Sequence, residues 1–168
     1  MSNFFDDVGR FHGKFNLPVS HETWRRTGTS KPGLISKRDF DFRVNFMHEE
    51  IRELIEGNAQ GNLTQIADAL VDLVYVALGT AHYFGLPFQA LWDEVHRANM
   101  EKQPWKEGDP VKPRNASGLE VVKPEGWLPP DIEGVIRDFR DYHGMKNPEG
   151  GFTLEEGAFG GEPDEYTR

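Results

Sequence analysis

Residues 63–84 read LTQIADALVDLVYVALGTAHYF, and this stretch decides the fold. Leu63, Ile66, Ala67, Leu70, Val71, Leu73, Val74, Val76, Ala77, Leu78 and Ala81 surround a helix almost completely. A helix that is apolar all round is expected at the centre of a helical assembly. Gly85-Leu86-Pro87 ends it. Two acids interrupt the apolar run, Asp68 and Asp72, four apart and therefore on one face. An ionised carboxylate in a buried helix is costly unless it is paired or bound to a metal. No lysine or arginine lies within this helix to pair with them.

Outward toward the N-terminus, a helix is predicted over about 39–56, with Phe42, Phe46, Met47, Leu54 and Ile55 as its buried side and Gly57-Asn58 and Gly61-Asn62 breaking the chain after it. It carries Glu49, Glu50 and Glu53, the last two three apart on one face. The short connection favours antiparallel neighbours. That pairing lets four carboxylates converge: Glu50, Glu53, Asp68 and Asp72. An all-oxygen cluster of this kind suits Mg²⁺ or Mn²⁺. The competing structural explanations are a solvated glutamate face and neutralisation of the aspartates by Arg43, Arg52 or Arg97. The cost of burying charge on both adjacent helices weighs toward a metal site.

Phe4, Phe5, Val8, Phe11 and Phe15 mark a first helix over 3–15, with Ser2 in position to cap it. Residues 16–37 form a long loop. A fourth helix is predicted over 88–100, turning Leu91, Trp92 and Val95 inward, and a fifth over 131–142, with Ile132, Val135, Ile136 and Phe139 on one side. Between them, 101–130 reads as an extended arm in which Glu120-Val121-Val122 form a short extended piece. The domain ends near residue 143, and 144–168 is a Gly- and Glu-rich tail, expected to be loosely held. The fold class is all-α, a bundle of four to five helices. So few helices cannot close a deep cleft, and the apolar third helix needs covering on every side. A homodimer or a dimer of dimers (a homotetramer) is therefore expected.

The 168 residues suit one domain with its own core. The absence of cysteine excludes disulfides, zinc–thiolate sites and thiol nucleophiles. A net charge of −9 argues against nucleic acid as a partner, but not against a small phosphate substrate held through metal ions. No apolar run reaches membrane-spanning length, and Met-Ser-Asn-Phe-Phe-Asp-Asp lacks the basic start of a signal peptide, so a cytoplasmic protein without a membrane partner is expected. His12, His48 and His96 are expected to be ordinary surface or half-buried residues. Asp93 and His96 have metal-ligand spacing, but no second such pair exists to complete a di-iron bundle.

Glu49-Glu50-Ile51-Arg52-Glu53, followed after a gap by Asp68-Ala69-Leu70-Val71-Asp72, resembles the signature of the all-α nucleotide pyrophosphohydrolases. That superfamily includes the MazG-like enzymes, the dimeric dUTPases and phosphoribosyl-ATP pyrophosphohydrolase. Residues 68–81, Glu94-Val95-His96-Arg97-Ala98-Asn99-Met100-Glu101-Lys102, Lys123 to Ile132 and Phe11-His12-Gly13-Lys14-Phe15 are similar to the MazG-like branch, so the resemblance covers about 4–135. The family places a glutamate three residues before its final aspartate. Here that position is Ala69, and Asp68 stands four before.

The resemblance implies hydrolysis of a nucleoside triphosphate to the monophosphate and pyrophosphate, with two or three Mg²⁺ ions (or Mn²⁺) bridging the phosphates to Glu50, Glu53 and Asp72, and Asp68 as a fourth ligand. Glu49 orients or deprotonates the attacking water or holds an extra ion, so Glu49, Glu50 and Glu53 are the catalytic candidates. Arg97, Asn99 and Lys102 are assigned phosphate or sugar contacts, and Lys123 joins them from the arm. The alternative for Arg97 and Lys102 is to complement the negative end of their helix, which explains nothing about Asn99. Phe11, Phe15, Asn16 and Trp24 are candidates for stacking on or edge-bonding a base, with core packing as the alternative for the aromatics. The MazZ branch of the family, found in phages, prefers dGTP or GTP, which points to purine selectivity. Two other readings stay open: a house-cleaning hydrolase of non-canonical nucleotides, and an acidic helical binding or regulatory protein without catalysis.

Overall fold

A computed structural model describes residues 3–20, 32–106 and 121–142. Ser2, Trp24, residues 107–120 of the arm and the C-terminal tail lie outside the described residues. Among those described, five helices and one two-stranded ribbon follow in the order α1 (Phe4–Lys14), α2 (Lys37–Ala59), α3 (Leu63–Tyr83), α4 (Phe88–Met100), β1 (Gln103–Pro104), β2 (Val121–Val122) and α5 (Ile132–Tyr142). The fold is all-α, as the hydrophobic spacing predicts.

The helix ends follow from local chemistry. Asn3 caps α1 by accepting from the Asp6 amide at 2.7 Å. Ser36 caps α2 through the Asp39 amide at 3.1 Å, which starts that helix two residues earlier than the apolar spacing alone suggests. Its other end runs through Gly57, read from sequence as a breaker. Gly57 instead marks a close approach: a Cβ there would stand 3.1 Å from the Ile66 amide nitrogen. The turn is made by Gly61, at φ +65°, and Asn62 then caps α3 through the Gln65 amide. At the far end of α3, Gly85 takes a left-handed φ of 66°, with Gly85 N–H bonded to the His82 carbonyl and Leu86 N–H to that of Ala81. This is a closed C-terminal cap in which glycine is required by the backbone.

α2 and α3 form an antiparallel hairpin in one continuous register. Gly57 lies against Ile66 at the turn, and Arg43 bonds Val76 and Thr80 further along. α1 packs on the C-terminal half of α3, where Phe5, Val8, Leu78 and Ala81 form a buried cluster ringed by Tyr75, Leu86 and Phe88. α4 packs with α5. The ribbon pairs Gln103 with Val122 and Pro104 with Val121, antiparallel, and Trp127 donates its indole N–H to the buried Ala98 carbonyl at 2.7 Å.

α3 is not enclosed by its own chain: Leu63, Leu70, Val71 and Val74 are exposed, Val71 by 64%. Two expectations need correction. Phe42 and Ile55 of α2 and Trp92 and Val95 of α4, read as inward, are exposed as well. The sequence periodicity reports which surface wants burial, not whether the same chain supplies the cover. By length and composition α3 is also apolar enough to cross a membrane, contrary to the reading of its runs, although α1 and α2 pack along it and it carries both aspartates.

Candidate active site

The carboxylates gather on the α2–α3 hairpin, but not with the burial foreseen. Asp68 and Asp72 are exposed, because they lie on the part of α3 that its own chain leaves open. Glu50 is the buried acid, 6% exposed, on the face of α2 turned to α3. Glu53 follows one turn later and is half-buried, and Glu49 is exposed. The Glu50 carboxyl is pushed above its ordinary range, first by burial and then by the negative charges of Asp72, Glu53, Glu49 and Asp68. Its cover is shallow, supplied by immediate neighbours rather than by depth in the protein. Among the described residues every charge felt by Glu50 is that of an acid, and no cation offsets them.

None of the arginines considered as counter-charges serves that purpose. Arg97 is held by Glu94 at 2.8 and 2.9 Å and by Glu101 at 2.6 Å. Arg52 forms no ion pair among the described residues, and Arg43 is bonded to α3 elsewhere. Among the described residues no three acids or histidines stand close enough to make a ready-formed metal group. Repulsion among like charges favours such splaying.

The remaining candidates fall into two places. Asn99, Lys102 and Lys123 come together at Trp127. Lys102 Nζ donates to Asn99 Oδ1 at 2.7 Å, and the ammonium groups of Lys102 and Lys123 lie 5.9 and 4.4 Å from the centre of the indole ring. Arg97 stands on the same helix but is engaged in the carboxylate pairs with Glu94 and Glu101. The Arg97 guanidinium, followed by the Asp131 amide, holds the Glu94 carboxyl down at about 2, which ties the end of α4 to the start of α5. No hydrogen bond or ion pair joins this group to the five acids among the described residues.

Phe15 and Asn16 close α1. Asn16 adopts φ 54°, and Leu17 N–H returns to the His12 carbonyl at 2.9 Å, so Asn16 has a backbone reason to be there. Both side chains are exposed rather than in the core. The Phe15 ring centre lies 4.7 Å from that of Phe11, which makes a T-shaped contact with the Tyr75 ring at 5.5 Å. Tyr75 is three residues from Asp72 on α3, which sets the end of α1 one helical turn from the carboxylates.

Sequence reasoning missed a buried polar layer under that end of α1. His12, expected at the surface or half-buried, is 2% exposed and donates from Nδ1 to the Pro18 carbonyl at 2.6 Å. His82 is fully buried. Arg43, weighed only as a counter-charge, is buried against Thr80 and Val76. The available signals were a histidine and an arginine set within apolar helical spacing, and a glycine, Gly79, in mid-helix opposite both.

Residues 17–99 match the phosphoribosyl-ATP pyrophosphohydrolase family, which falls within the MazG-like all-α superfamily. The match spans α2, α3 and nearly all of α4, including all five acids, but excludes Phe15, Asn16, Lys102 and Lys123. It supports a hydrolase acting on phosphoric anhydrides. The chain is also similar to an uncharacterized protein of Acanthamoeba polyphaga mimivirus, 25% identical over 137 residues. That alignment takes in 82% of this chain and 49% of the viral protein, so the chain spans about half the length of this relative.

Proposed function

We propose that the protein is a metal-dependent nucleoside triphosphate pyrophosphohydrolase that converts a (d)NTP and water to the (d)NMP and pyrophosphate. The observation that carries this reading is the placement of Glu50: covered, destabilised as an anion, and under the charge of four further carboxylates with no neutralising cation among the described residues. The donor set is all oxygen, which fits a hard divalent ion. Glu50, Glu53, Asp72 and Asp68 would hold Mg²⁺ or Mn²⁺, two or three ions in all. When bound, the ions stabilise charge on the phosphoryl oxygens and acidify water. Glu49, exposed at the edge of the set, orients the attacking water or takes its proton. Asp68 and Asp72 reach the site from an exposed helix face, which leaves them free to close on a ligand.

Lys102, Lys123 and Asn99 serve the phosphates or sugar from the Trp127 platform, with Arg97 joining only by leaving its carboxylate partners. Phe15 and Asn16 address the base. The exposed apolar strips of α2 and α3 are covered by further copies of the chain, in a homodimer or homotetramer. Purine selectivity of the MazZ type, a house-cleaning role on non-canonical nucleotides and a cytoplasmic setting are refinements of the same proposal.

The test is incubation with the eight common NTPs and dNTPs, and with phosphoribosyl-ATP, in Mg²⁺ and then Mn²⁺, with products resolved by ion exchange and Glu53→Gln as control. Monophosphate plus pyrophosphate that disappears in the variant supports the reading. No turnover, together with no rise in melting temperature on adding Mn²⁺, sinks it.

A further inference from the structure

Every hydrogen bond that residues 17–20 make among the described residues ends on one of two histidines. Leu17 N–H returns to the His12 carbonyl at 2.9 Å, and the Pro18 carbonyl accepts from His12 Nδ1 at 2.6 Å. Ser20 N–H donates to His82 Nδ1 at 3.1 Å. Apolar cover adds little, since Pro18 is exposed and Leu17 and Val19 are half-buried. Ser20 is fully buried, but its hydroxyl oxygen has no hydrogen-bond partner. A buried hydroxyl without a partner is unfavourable, and releasing the segment returns it to water. A stretch held by few apolar contacts and few hydrogen bonds opens separately from the core.

The protonation state of His82 decides whether that end of the segment is held. Its Nε2 donates to the Phe5 carbonyl at 2.9 Å, so Nδ1 accepts from Ser20 only while it carries no proton. A proton there sets N–H against N–H and leaves the bond to Phe5 in place. The groups facing the ring offer a charged form no support. His12 of α1 stands 5.3 Å away between ring centres, itself held low by burial, against the Pro18 carbonyl and with a further push from Arg43 of α2. Tyr83, the next residue of α3, meets the His12 ring edge-on. Among the described residues no carboxylate acts on His82. A charged His82 therefore gains solvation only by opening its surroundings. We propose that His82 is a proton-operated latch on residues 17–20: neutral, it closes the segment onto α3 and steadies the Asn16 turn, and one proton on Nδ1 opens it while the helices stay packed. Asn16 is coupled to the latch because the two residues after it, Leu17 and Pro18, belong to the segment. The sign follows from linkage, since the open segment leaves Nδ1 free to take a proton and opening gains as pH falls. The consequence for substrate rests on the reading above, in which Phe15 and Asn16 address the base, while the latch itself needs no substrate.

The experiment follows amide hydrogen exchange by NMR in the full chain, corrected for the intrinsic pH dependence of exchange. In the wild type, Ser20 protection is expected to fall by about tenfold per pH unit between about pH 6 and 4.5, staying below that of Leu78 in the core throughout. Imidazole nitrogen shifts should show the Nε2–H form of His82 at pH 7 and a titration that the Ser20 amide shift follows. His82→Asn keeps an acceptor for Ser20 that takes no proton, and should protect Ser20 equally at pH 6 and 5. His82→Leu, of similar bulk without the acceptor, should leave Ser20 unprotected at both. At pH 7 His82→Leu is expected to raise KM several-fold for the triphosphate chosen by the substrate screen, with kcat little changed, and His82→Asn to stay within about twofold of the wild type. Ser20 protection that ignores pH, that equals that of Leu78 at every pH, or that keeps its wild-type pH dependence in His82→Asn would each overturn the latch. The wild-type measurements decide even if a variant fails to fold. The expected exchange pattern with equal KM in the two variants would defeat the placement of Asn16 at the base alone. The same pattern without turnover of any triphosphate would defeat the pyrophosphohydrolase reading alone.

Discussion

The imidazole of His82 lies flat on the phenyl ring of Phe5, ring centres 3.8 Å apart and planes within 4°, while its Nε2 donates to the Phe5 carbonyl at 2.9 Å. Its Nδ1 accepts from the Ser20 amide at 3.1 Å. One ring therefore fastens the start of α1 and the segment after it to α3, and it does so only in the neutral Nε2–H form. A proton on Nδ1 would face the Ser20 N–H.

The first prediction follows from that tautomer. Burial holds the His82 pKa at about 4, against a rise from the Phe5 carbonyl and with a smaller push downward from His12. A histidine with a lowered folded pKa contributes full stability above its unfolded value near 6.5, loses it as pH falls between 6.5 and 4, and loses no more below that. The shift corresponds to about 3 kcal/mol. Urea unfolding at pH 7, 5.5 and 4 should show this fall in the wild type. His12 is also lowered by burial and adds to the fall with the same sign. The His82 share is isolated with His82→Gln, less stable at pH 7 but flatter across the window. A His82→Gln curve parallel to the wild type would contradict the assignment.

The second prediction concerns the acids. Glu50→Gln removes a buried charge that burial and four neighbours disfavour. Without metal, the variant should melt higher than the wild type by a few degrees, since about 1 kcal/mol moves the melting point roughly 2–4 °C at this size. With millimolar Mn²⁺ the order should invert, because binding to the folded state stabilises the wild type and the variant has lost a ligand. A Mn²⁺ increment that is equal in the two proteins would remove Glu50 from the metal set.

What the sequence made legible was periodicity. The spacing of Leu70, Val74 and Leu78 located α3, and the four-residue step from Asp68 to Asp72 located the acidic face, because both depend on local helix geometry alone. Which acid is buried was not legible. Asp68 and Asp72 sit in an apolar helix whose outer side the chain leaves open, while Glu50 sits in a polar-looking helix on the side α3 covers. Burial is decided by tertiary neighbours. The partners of Arg43 were hidden for the same reason: Val76 and Thr80 lie 33 and 37 residues away, and the usable hint was Gly79, whose missing Cβ makes the room.

The exposed strip on the hairpin gives the third prediction. Val71 and Val74 are 64% and 52% exposed on α3, and Ile55 of α2 is 61% exposed. Apolar strips of this kind mark association surfaces. Sedimentation should find the wild type as a dimer or tetramer, and Val71→Asp with Val74→Asp should shift it toward monomer while the helical circular dichroism persists. A wild type that sediments as a monomer at micromolar concentration would end the argument that further copies cover α3.

The fourth prediction separates backbone from side chain at Asn16. Its left-handed φ of 54° ends α1, with Leu17 bonded back to His12, and glycine takes this conformation without strain whereas alanine loses about 1–2 kcal/mol there. Asn16→Gly should therefore keep the melting temperature of the wild type, and Asn16→Ala should lower it by several degrees. If the carboxamide touches the nucleotide, both variants raise KM for the preferred triphosphate, by about tenfold for the loss of one substrate hydrogen bond, with kcat little changed. Because Asn16→Gly leaves the fold intact, a rise in its KM reports the side chain alone. An Asn16→Gly enzyme with wild-type KM, beside a destabilised Asn16→Ala, would show that asparagine is present only to turn the chain out of α1.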